Sequence, residues 1–190
     1  MKLPSARSYA SVLALFRISV GLFWLAHGVG KFTNAPMFMP PTGLITTYIA
    51  NAIGNSLGFY HDFLLNVVQP NISIFAELVR VGEVVAGALL VLGLLTRLGG
   101  LIGVVLATNY LFANHEVGSF SGWSSIDGVA VLISAVNLVL PTGRVLGLDW
   151  LLGRAAKPRV APAATIVRPE PVTAEFVEEA PLEGPSAPRE

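Results

Sequence analysis

The sequence has 190 residues and no cysteine, and charged residues make up only 13 % of it. The missing cysteines exclude disulfides, thiol chemistry, cysteine-ligated iron–sulfur clusters and thiolate zinc sites. Twelve basic and twelve acidic residues give a formal net charge of zero, so nothing in the overall charge favours nucleic acid as a partner. Electron transfer by this chain would therefore need a small-molecule carrier, a haem or a partner subunit.

Long apolar segments make up much of the sequence. Apolar residues make up 53 % of the sequence and the mean hydropathy is +0.66, whereas ordinary soluble domains carry about 25 % charged residues. A helix needs about 20 mostly apolar residues to cross a bilayer, and four segments approach that length: residues 11–31, 73–95, 98–113 and 125–140. We predict an all-α integral membrane protein in contact with the lipid bilayer, with a four-helix bundle over residues 1–153.

The segments outside these helices predict the topology. If both termini lie on one side, the basic residues near the ends of the segments fall on that side as well, except for Lys31 at the end of the first segment. The positive-inside rule then places both termini in the cytoplasm, in a bacterial cytoplasmic membrane. Residues 32–72 show helical apolar periodicity, which predicts short amphipathic helices on the outer surface, one of them capped by Thr42. Residues 154–190, rich in Pro, Ala and Glu, are predicted to form a disordered cytoplasmic tail.

Charged residues interrupt two of the apolar segments. Arg17 lies in the first, and Glu77, Arg80 and Glu83 lie in the second. A charge near the bilayer centre costs about 2.5–3.5 kcal/mol on insertion scales, so such residues normally face one another or a cavity. The three charges of the second segment are spaced three residues apart and share one helix face. This pattern predicts a buried charged centre.

An up, down, up, down arrangement of the helices predicts which residues lie at one level. Trp24 is expected near Arg80, Gly21 near Glu83, and Arg17 within reach of Glu83. We predict three catalytic residues and seven residues that bind substrate or quinone. The catalytic residues are Glu83, His27 and Glu77, and the binding residues are Arg17, Trp24, Lys31, Arg80, Asn109, Tyr110 and Asp127.

Two interpretations of this centre stay open. Buried charges require balance, and an ion-pair network that only fixes the helix register would satisfy that requirement. In the functional interpretation His27 lies next to Glu77 and exchanges protons with a quinone, since histidine titrates near neutral pH. No metal site is predicted. A haem held by His27 and His115 is the weaker alternative, because His115 is expected in a loop.

Three motifs in order along residues 11–152 resemble the DoxX/DoxD family of small four-helix membrane proteins. They comprise Arg17, Gly21, Phe23, His27, Gly28 and Lys31 in the first helix; Glu83, Gly87, Gly93, Thr96 and Arg97 in the second; and Gly143, Arg144, Leu148 and Asp149 after the fourth. Thr142 and Gly147 depart from the glycine and serine of the family's closing motif, and Asp127 stands where a glutamate is common. Glu77 and Arg80 are additions to the pattern.

The resemblance implies a redox function, because one branch of the family forms thiosulfate:quinone oxidoreductase with a second subunit. In the first hypothesis the chain is a quinone-linked oxidoreductase subunit for thiosulfate or a related sulfur anion. Lys31 and Arg80 attract the anion, Glu83 paired with Arg17 shapes the pocket, and His27 and Glu77 carry protons. In the second hypothesis the chain anchors a soluble redox enzyme without catalysing a reaction. A small anion or proton transporter is the third. A homo-oligomer would complete a pocket between four thin helices.

Overall fold

The computed structural model describes residues 6–56, 58–140, 142–144 and 146–149, all within one compact unit that extends over residues 1–157. Every regular element in these ranges is helical, so the prediction of an all-helical fold is confirmed. The predicted tail, residues 154–190, lies outside the described residues. So do the side chains of Arg144 and Trp150.

Four long helices fall on the four predicted apolar segments. They are α1 (Ala6–Thr33), α5 (Ile72–Leu92), α6 (Thr96–Ala113) and α7 (Ile126–Val139). Residues Ser8–Thr33 of α1 and all of α6 are long and apolar enough to cross a membrane. Helix α5 has 21 residues but carries three charges, and α7 has 14 residues. A bundle in which all four span the bilayer therefore stays a prediction.

The long helices carry large apolar side chains on their exposed faces. On α1, Val12, Leu15 and Leu22 are each more than half exposed. Similar residues line the exposed faces of α5, α6 and α7, such as Leu78 on α5 and Leu132 on α7. Apolar faces of this extent are unfavourable in water and mark contact with lipid or protein. Together with the two apolar helices, they indicate a membrane protein.

Glycines bring α1 and α5 into backbone contact. A Cβ on Gly21 would lie 2.7 Å from the Val91 nitrogen, and one on Gly87 would lie 2.6 Å from the Leu25 nitrogen. Nearer the other end of α1, Gly28 lies against Glu83 and Val84 in the same way. Only glycine allows helices this close together. These contacts fix the register of α1 against α5.

The observed register corrects the predicted levels. Gly21 lies against Gly87 and Val91 rather than near Glu83, which is an offset of four to eight residues, or roughly one to two helical turns. The first two turns of α5 extend past α1, and there Ala76 packs against Phe38 and Ile45 of the short helices that precede α5. The sequence prediction had aligned the end of α1 with the beginning of α5.

Short helices cover one end of the long ones, which we call the capped end. They are α2 (Ala35–Phe38), α3 (Leu44–Asn55) and α4 (Phe59–Phe63), followed by a π-helical turn and a 3₁₀ turn that lead into α5. Helix α3 is amphipathic as predicted, since it buries Ile45 and Ala52 and exposes Tyr48. The prediction that Thr42 caps this helix is wrong. The residue directly before α3 is Gly43, which has no side chain to cap it.

At the opposite end, which we call the loop end, the segment after α7 is bound to the helices through Arg17. The Arg17 guanidinium donates hydrogen bonds to the carbonyls of Thr142 (2.9 Å) and Leu146 (2.7 Å). The Asp149 carboxylate accepts from the Leu95 and Thr96 backbone nitrogens at 2.6 and 3.1 Å, at the beginning of α6. We call these contacts the loop lock.

Candidate functional site

Glu83 lies in the middle of the long helices with only 1 % of its surface exposed. Its carboxylate accepts two hydrogen bonds from the Lys31 ammonium, at 2.5 and 2.7 Å. The Tyr110 hydroxyl donates a third hydrogen bond of 2.7 Å to the same carboxylate. We call these three residues the Glu83 cluster. Three helices, α1, α5 and α6, therefore meet at one buried carboxylate.

The local sequence explains how the Glu83 cluster forms. Gly28 lets α1 approach the backbone of α5 at Glu83, so that Lys31, one turn further along α1, reaches the carboxylate. Lys31 is 21 % exposed, and its ammonium also lies 5.5 Å from the centre of the Phe38 ring. Glu83 is almost completely buried, whereas Lys31 and Tyr110 are both partly exposed, so a small molecule can reach the cluster only through these two residues.

Glu77 and Arg80 form a separate ion pair on α5. The Arg80 Nε donates to Glu77 at 2.8 Å, and a second guanidinium nitrogen donates to the other carboxylate oxygen. Arg80 also lies 4.3 Å above the Phe32 ring, while the Glu77 side chain is 46 % exposed. The pair is three residues apart on one helix and does not share a partner with Glu83. The single charged stripe expected from the sequence thus divides into two pairs.

Arg17 is not a partner of Glu83, which corrects the predicted pairing. The guanidinium lies next to Gly93 and Gly147, where a Cβ on either glycine would be 2.7 Å from its Nη1. Arg17 is completely buried, and the backbone carbonyls of Thr142 and Leu146 accept hydrogen bonds from its guanidinium. The register set by Gly21 is the reason, since it places Arg17 beyond the level of Val91 on α5.

His27 also lies away from its predicted partner. Because Gly28 is level with Glu83 and Val84, His27 is about two turns, or ~10 Å along the axis, from Glu77. The His27 ring is exposed, and its Nδ1 is 2.8 Å from the Phe23 carbonyl. Asp127 on α7, another of the predicted binding residues, accepts a 2.7 Å hydrogen bond from Asn114.

Trp24 and Asn109, which were predicted to bind substrate or quinone together, lie in different places. Trp24 is 1 % exposed and donates through Nε1 to the Ser134 hydroxyl at 3.1 Å, so its indole fills the core between α1 and α7. The Asn109 side chain is exposed and donates to the Val105 carbonyl within its own helix. Of the ten predicted site residues, the Glu83 cluster brings together Glu83, Lys31 and Tyr110.

Comparison with known proteins decides the family. A family model described as the small subunit DoxD of TQO, thiosulfate:quinone oxidoreductase, matches residues 12–167. The chain belongs to the DoxD family. No curated protein and no solved structure matches the sequence. The resemblance that the three motifs predicted is therefore confirmed. Several motif residues of this DoxD protein have structural roles: Gly21 and Gly28 bring α1 against α5, and Arg17 and Asp149 form the loop lock.

The sequence interpretation of this DoxD protein missed a second group of residues at the capped end. Ser56, Tyr60, Phe112 and His115 line a small cavity there. They come from three segments that no single periodicity relates, and the only signal in the sequence was the cluster of aromatic residues Phe59, Tyr60 and Phe63. Among the described ranges, no group of three or more His, Asp or Glu side chains is placed to hold a metal ion.

Proposed function

We propose that this DoxD-family chain is the membrane subunit of a quinone-linked oxidoreductase whose electron donor is thiosulfate or a related sulfur anion. In this proposal α1, α5, α6 and α7 form a four-helix bundle across the bacterial cytoplasmic membrane, with both termini in the cytoplasm. The capped end then lies on the outer side. A second redox subunit, or a second copy of the chain, would complete the complex.

The Glu83 cluster is the observation that carries this proposal. A buried carboxylate is costly in a membrane helix unless it is paired, and such residues usually serve a function. The Glu83 carboxylate is held by three hydrogen bonds, one donor of which, Lys31, is partly exposed. A cluster that only fixed the register would need no exposed member, since the glycine contacts already set it.

The chemistry assigns different tasks to these residues. Joining two thiosulfate ions through a sulfur–sulfur bond releases two electrons, and reduction of a quinone to a quinol takes up two electrons and two protons. Lys31 is placed to donate a hydrogen bond at the exposed edge of the cluster, and Glu83 is a proton-holding group behind it. Tyr110 fixes the carboxylate from the side of α6.

The anion site is not assigned to Lys31 and Arg80. Each is paired with a carboxylate, Lys31 with Glu83 and Arg80 with Glu77. Neither pair therefore carries a net positive charge that would attract a divalent anion. We therefore propose that this chain takes part in the reduction of the quinone, and that the complex as a whole binds the sulfur anion.

The experiment is donor-dependent quinone reduction by the full chain in lipid, with thiosulfate, sulfite and sulfide as donors. We expect Glu83→Gln to lower the rate at least about tenfold while the protein still inserts, because an amide keeps the shape of the carboxylate but cannot take up and release a proton. Asp62→Asn removes a carboxylate from the exposed part of α4 and serves as the matched control. An unchanged rate in Glu83→Gln would contradict the assigned role.

A second candidate function is a non-catalytic anchor for a soluble redox enzyme. Every oxygen of the Glu83 carboxylate is already bonded within the protein, which favours a purely structural cluster. Under this alternative the folded wild type reduces no quinone with any donor. It also retains a partner in a pull-down that is lost when residues 155–190 are deleted. Catalysis by the chain without a partner would exclude the anchor.

A further inference from the structure

The loop between α6 and α7 turns its apolar side chains outward. Residues 117–126 have the sequence VGSFSGWSSI, without a charged residue, and we call them the aromatic loop. Phe120 is 95 % exposed, Trp123 is 40 % exposed, and Ile126, the first residue of α7, is 66 % exposed. Apolar surface of this kind is unfavourable in water and marks contact with lipid or protein.

The serines of the aromatic loop use their hydroxyls within the protein. The Ser124 hydroxyl donates to the Ser121 carbonyl at 2.7 Å. The Ser125 hydroxyl donates to the Gly122 carbonyl at 2.6 Å. Ser119 donates to a backbone carbonyl at 3.1 Å, and Ser121 donates to the Ser119 hydroxyl at 3.3 Å. Water could satisfy these hydroxyls on an ordinary surface, whereas in a bilayer the protein itself must do so.

The backbone of the aromatic loop is bonded in the same way. The nitrogens of Gly122, Ser124 and Ser125 all donate to oxygens of the loop, at 2.9–3.1 Å. Polar groups are thus paired inside the loop while its rings are exposed. This is the reverse of the arrangement that water favours, and it is the one that a lipid environment requires.

Glycine lets the aromatic loop lie directly beside α7. A Cβ on Gly128, in the first turn of the helix, would be 2.5 Å from the Gly122 carbonyl oxygen and 2.6 Å from the Trp123 Cα. Ser125 caps the same turn, because its hydroxyl accepts from the Gly128 nitrogen at 3.2 Å. The loop therefore returns along the side of the helix instead of extending away from it.

The contacts of α6 with α7 give the level of this loop. Gly100 and Gly103 of α6 lie against Leu138 and Ser134 of α7, so the two helices are antiparallel. Counting along both helices from these contacts makes the first turn of α7 level with the last turn of α6. Helix α6 is long and apolar enough to cross a membrane. A bilayer that covers the whole of α6 therefore reaches the aromatic loop.

The exposed rings also continue the apolar face of α7. Val129 and Leu132 on this helix are exposed, as is Ile126 before them. Trp123 and Phe120 precede these residues at the same spacing of three. Tryptophan is enriched where a membrane meets water, because its ring is apolar and its N–H can bond to a headgroup or to water.

We propose that the aromatic loop binds lipid, with the Phe120 and Trp123 rings inserted where the headgroups meet the acyl chains at the capped end. Because the loop carries no charge, it contacts the acyl chains rather than a headgroup of one sign. The two rings then hold the connection of α6 with α7 at a fixed depth in the bilayer. This proposal does not depend on the quinone-linked function.

Fluorescence quenching tests the position of Trp123. The full chain is placed in lipid nanodiscs whose acyl chains carry bromine close to the headgroup, and Trp123→Phe subtracts the emission of the other two tryptophans. We expect the wild type to lose more emission to brominated lipid than Trp123→Phe does, and aqueous iodide to quench Trp123 weakly. Quenching of Trp123 by iodide without quenching by lipid would overturn the proposal. Protection from both quenchers would overturn it in favour of contact with a second copy of the chain.

Phe120→Asp tests the insertion itself. Because Phe120 is 95 % exposed, the substitution removes little packing, and thermal unfolding in detergent should stay unchanged. A charge opposes insertion, so Trp123 should become less sensitive to brominated lipid and more sensitive to iodide. Tyr48→Asp adds the same charge on the exposed face of α3, also at the capped end, and should leave the quenching of Trp123 unchanged. Equal quenching of Trp123 in folded Phe120→Asp and in the wild type would overturn the proposal.

Discussion

Arg17 and Glu83 are both almost completely buried, with 0 % and 1 % of their surfaces exposed, yet their surroundings differ in kind. At the loop end Arg17 donates to the backbone carbonyls of Thr142 and Leu146. In the Glu83 cluster the carboxylate accepts hydrogen bonds from two side chains, Lys31 and Tyr110, and both are partly exposed. Carbonyls cannot exchange protons, whereas a carboxylate, an ammonium and a phenol can.

Burial of a charge is therefore not enough to mark a functional site. The hydrogen-bond partners distinguish the two cases. Backbone partners make the charge part of the fold, whereas side-chain partners leave it available for chemistry. The loop lock also includes Asp149, which binds the beginning of α6 through two backbone nitrogens and the Thr96 hydroxyl. In this comparison the loop end holds the structure, and the Glu83 cluster is the part to which the proposed function assigns a role.

Arg17→Met should break the loop end with the largest effect on stability. The variant loses the two hydrogen bonds that the guanidinium donates to Thr142 and Leu146, each worth about 1.5–3 kcal/mol, so we expect the free energy of unfolding to fall by about 3–6 kcal/mol. The stability of Arg17→Lys should lie between that of Arg17→Met and that of the wild type, because one ammonium cannot reach both carbonyls in the geometry of a guanidinium. Thermal unfolding of the purified protein in detergent measures the order. Equal stability of all three proteins would show that other contacts hold the loop.

Gly28→Ala should weaken the Glu83 cluster through the helix contact alone. The new Cβ would lie 2.7 Å from a Val84 methyl and 2.8 Å from the Val84 nitrogen, so α1 must move away from α5. Overpacking of this kind costs about 1–3 kcal/mol, and the displaced Lys31 should also lower quinone reduction. Thermal unfolding and the rate of quinone reduction are measured on the same preparation.

The matched control is Gly30→Ala, two residues further along α1. A Cβ at Gly30 meets nothing within 4 Å. Alanine is also favoured over glycine inside a helix by roughly 0.5–1 kcal/mol, so this variant should be as stable as the wild type or slightly more stable. If Gly28→Ala behaved like Gly30→Ala, the close contact of α1 with α5 would not be what positions Lys31.

The four long helices were predictable because each coincides with a long apolar segment of the sequence, and α1 and α6 are long and apolar enough to cross a membrane. The amphipathic α3 followed from its periodicity. Membership of the cluster was also partly predictable, since Glu83, Lys31 and Tyr110 were all among the candidate residues.

The axial register of α1 against α5 was not predictable from periodicity. A repeat of 3.6 residues tells which face a residue occupies, but it says nothing of how far one helix slides along its neighbour. Here the offset depends on where Gly21 and Gly28 meet the backbone of α5. The partners of Arg17 were hidden for a second reason, because backbone carbonyls of a later loop carry no signature in the sequence.

Tyr60 offers the smallest test, a pH effect confined to the capped end. Burial raises the pKa of Tyr60 from 10.0 to about 12, because the ionised phenol would lose its hydration. In the unfolded chain the phenol ionises near pH 10. Its contribution to stability is therefore complete below about pH 10 and is lost as the pH rises toward 12.

Tyr60→Phe should show a smaller fall in stability between pH 10 and 12 than the wild type does, since its ring cannot ionise. Ultraviolet absorbance of the phenolate gives the titration, and thermal unfolding across the same range gives the stability. Tyr48→Phe, on the exposed face of α3, is the control and should leave the alkaline fall unchanged. An identical alkaline fall in Tyr60→Phe would mean that the Tyr60 hydroxyl is hydrated in the folded protein.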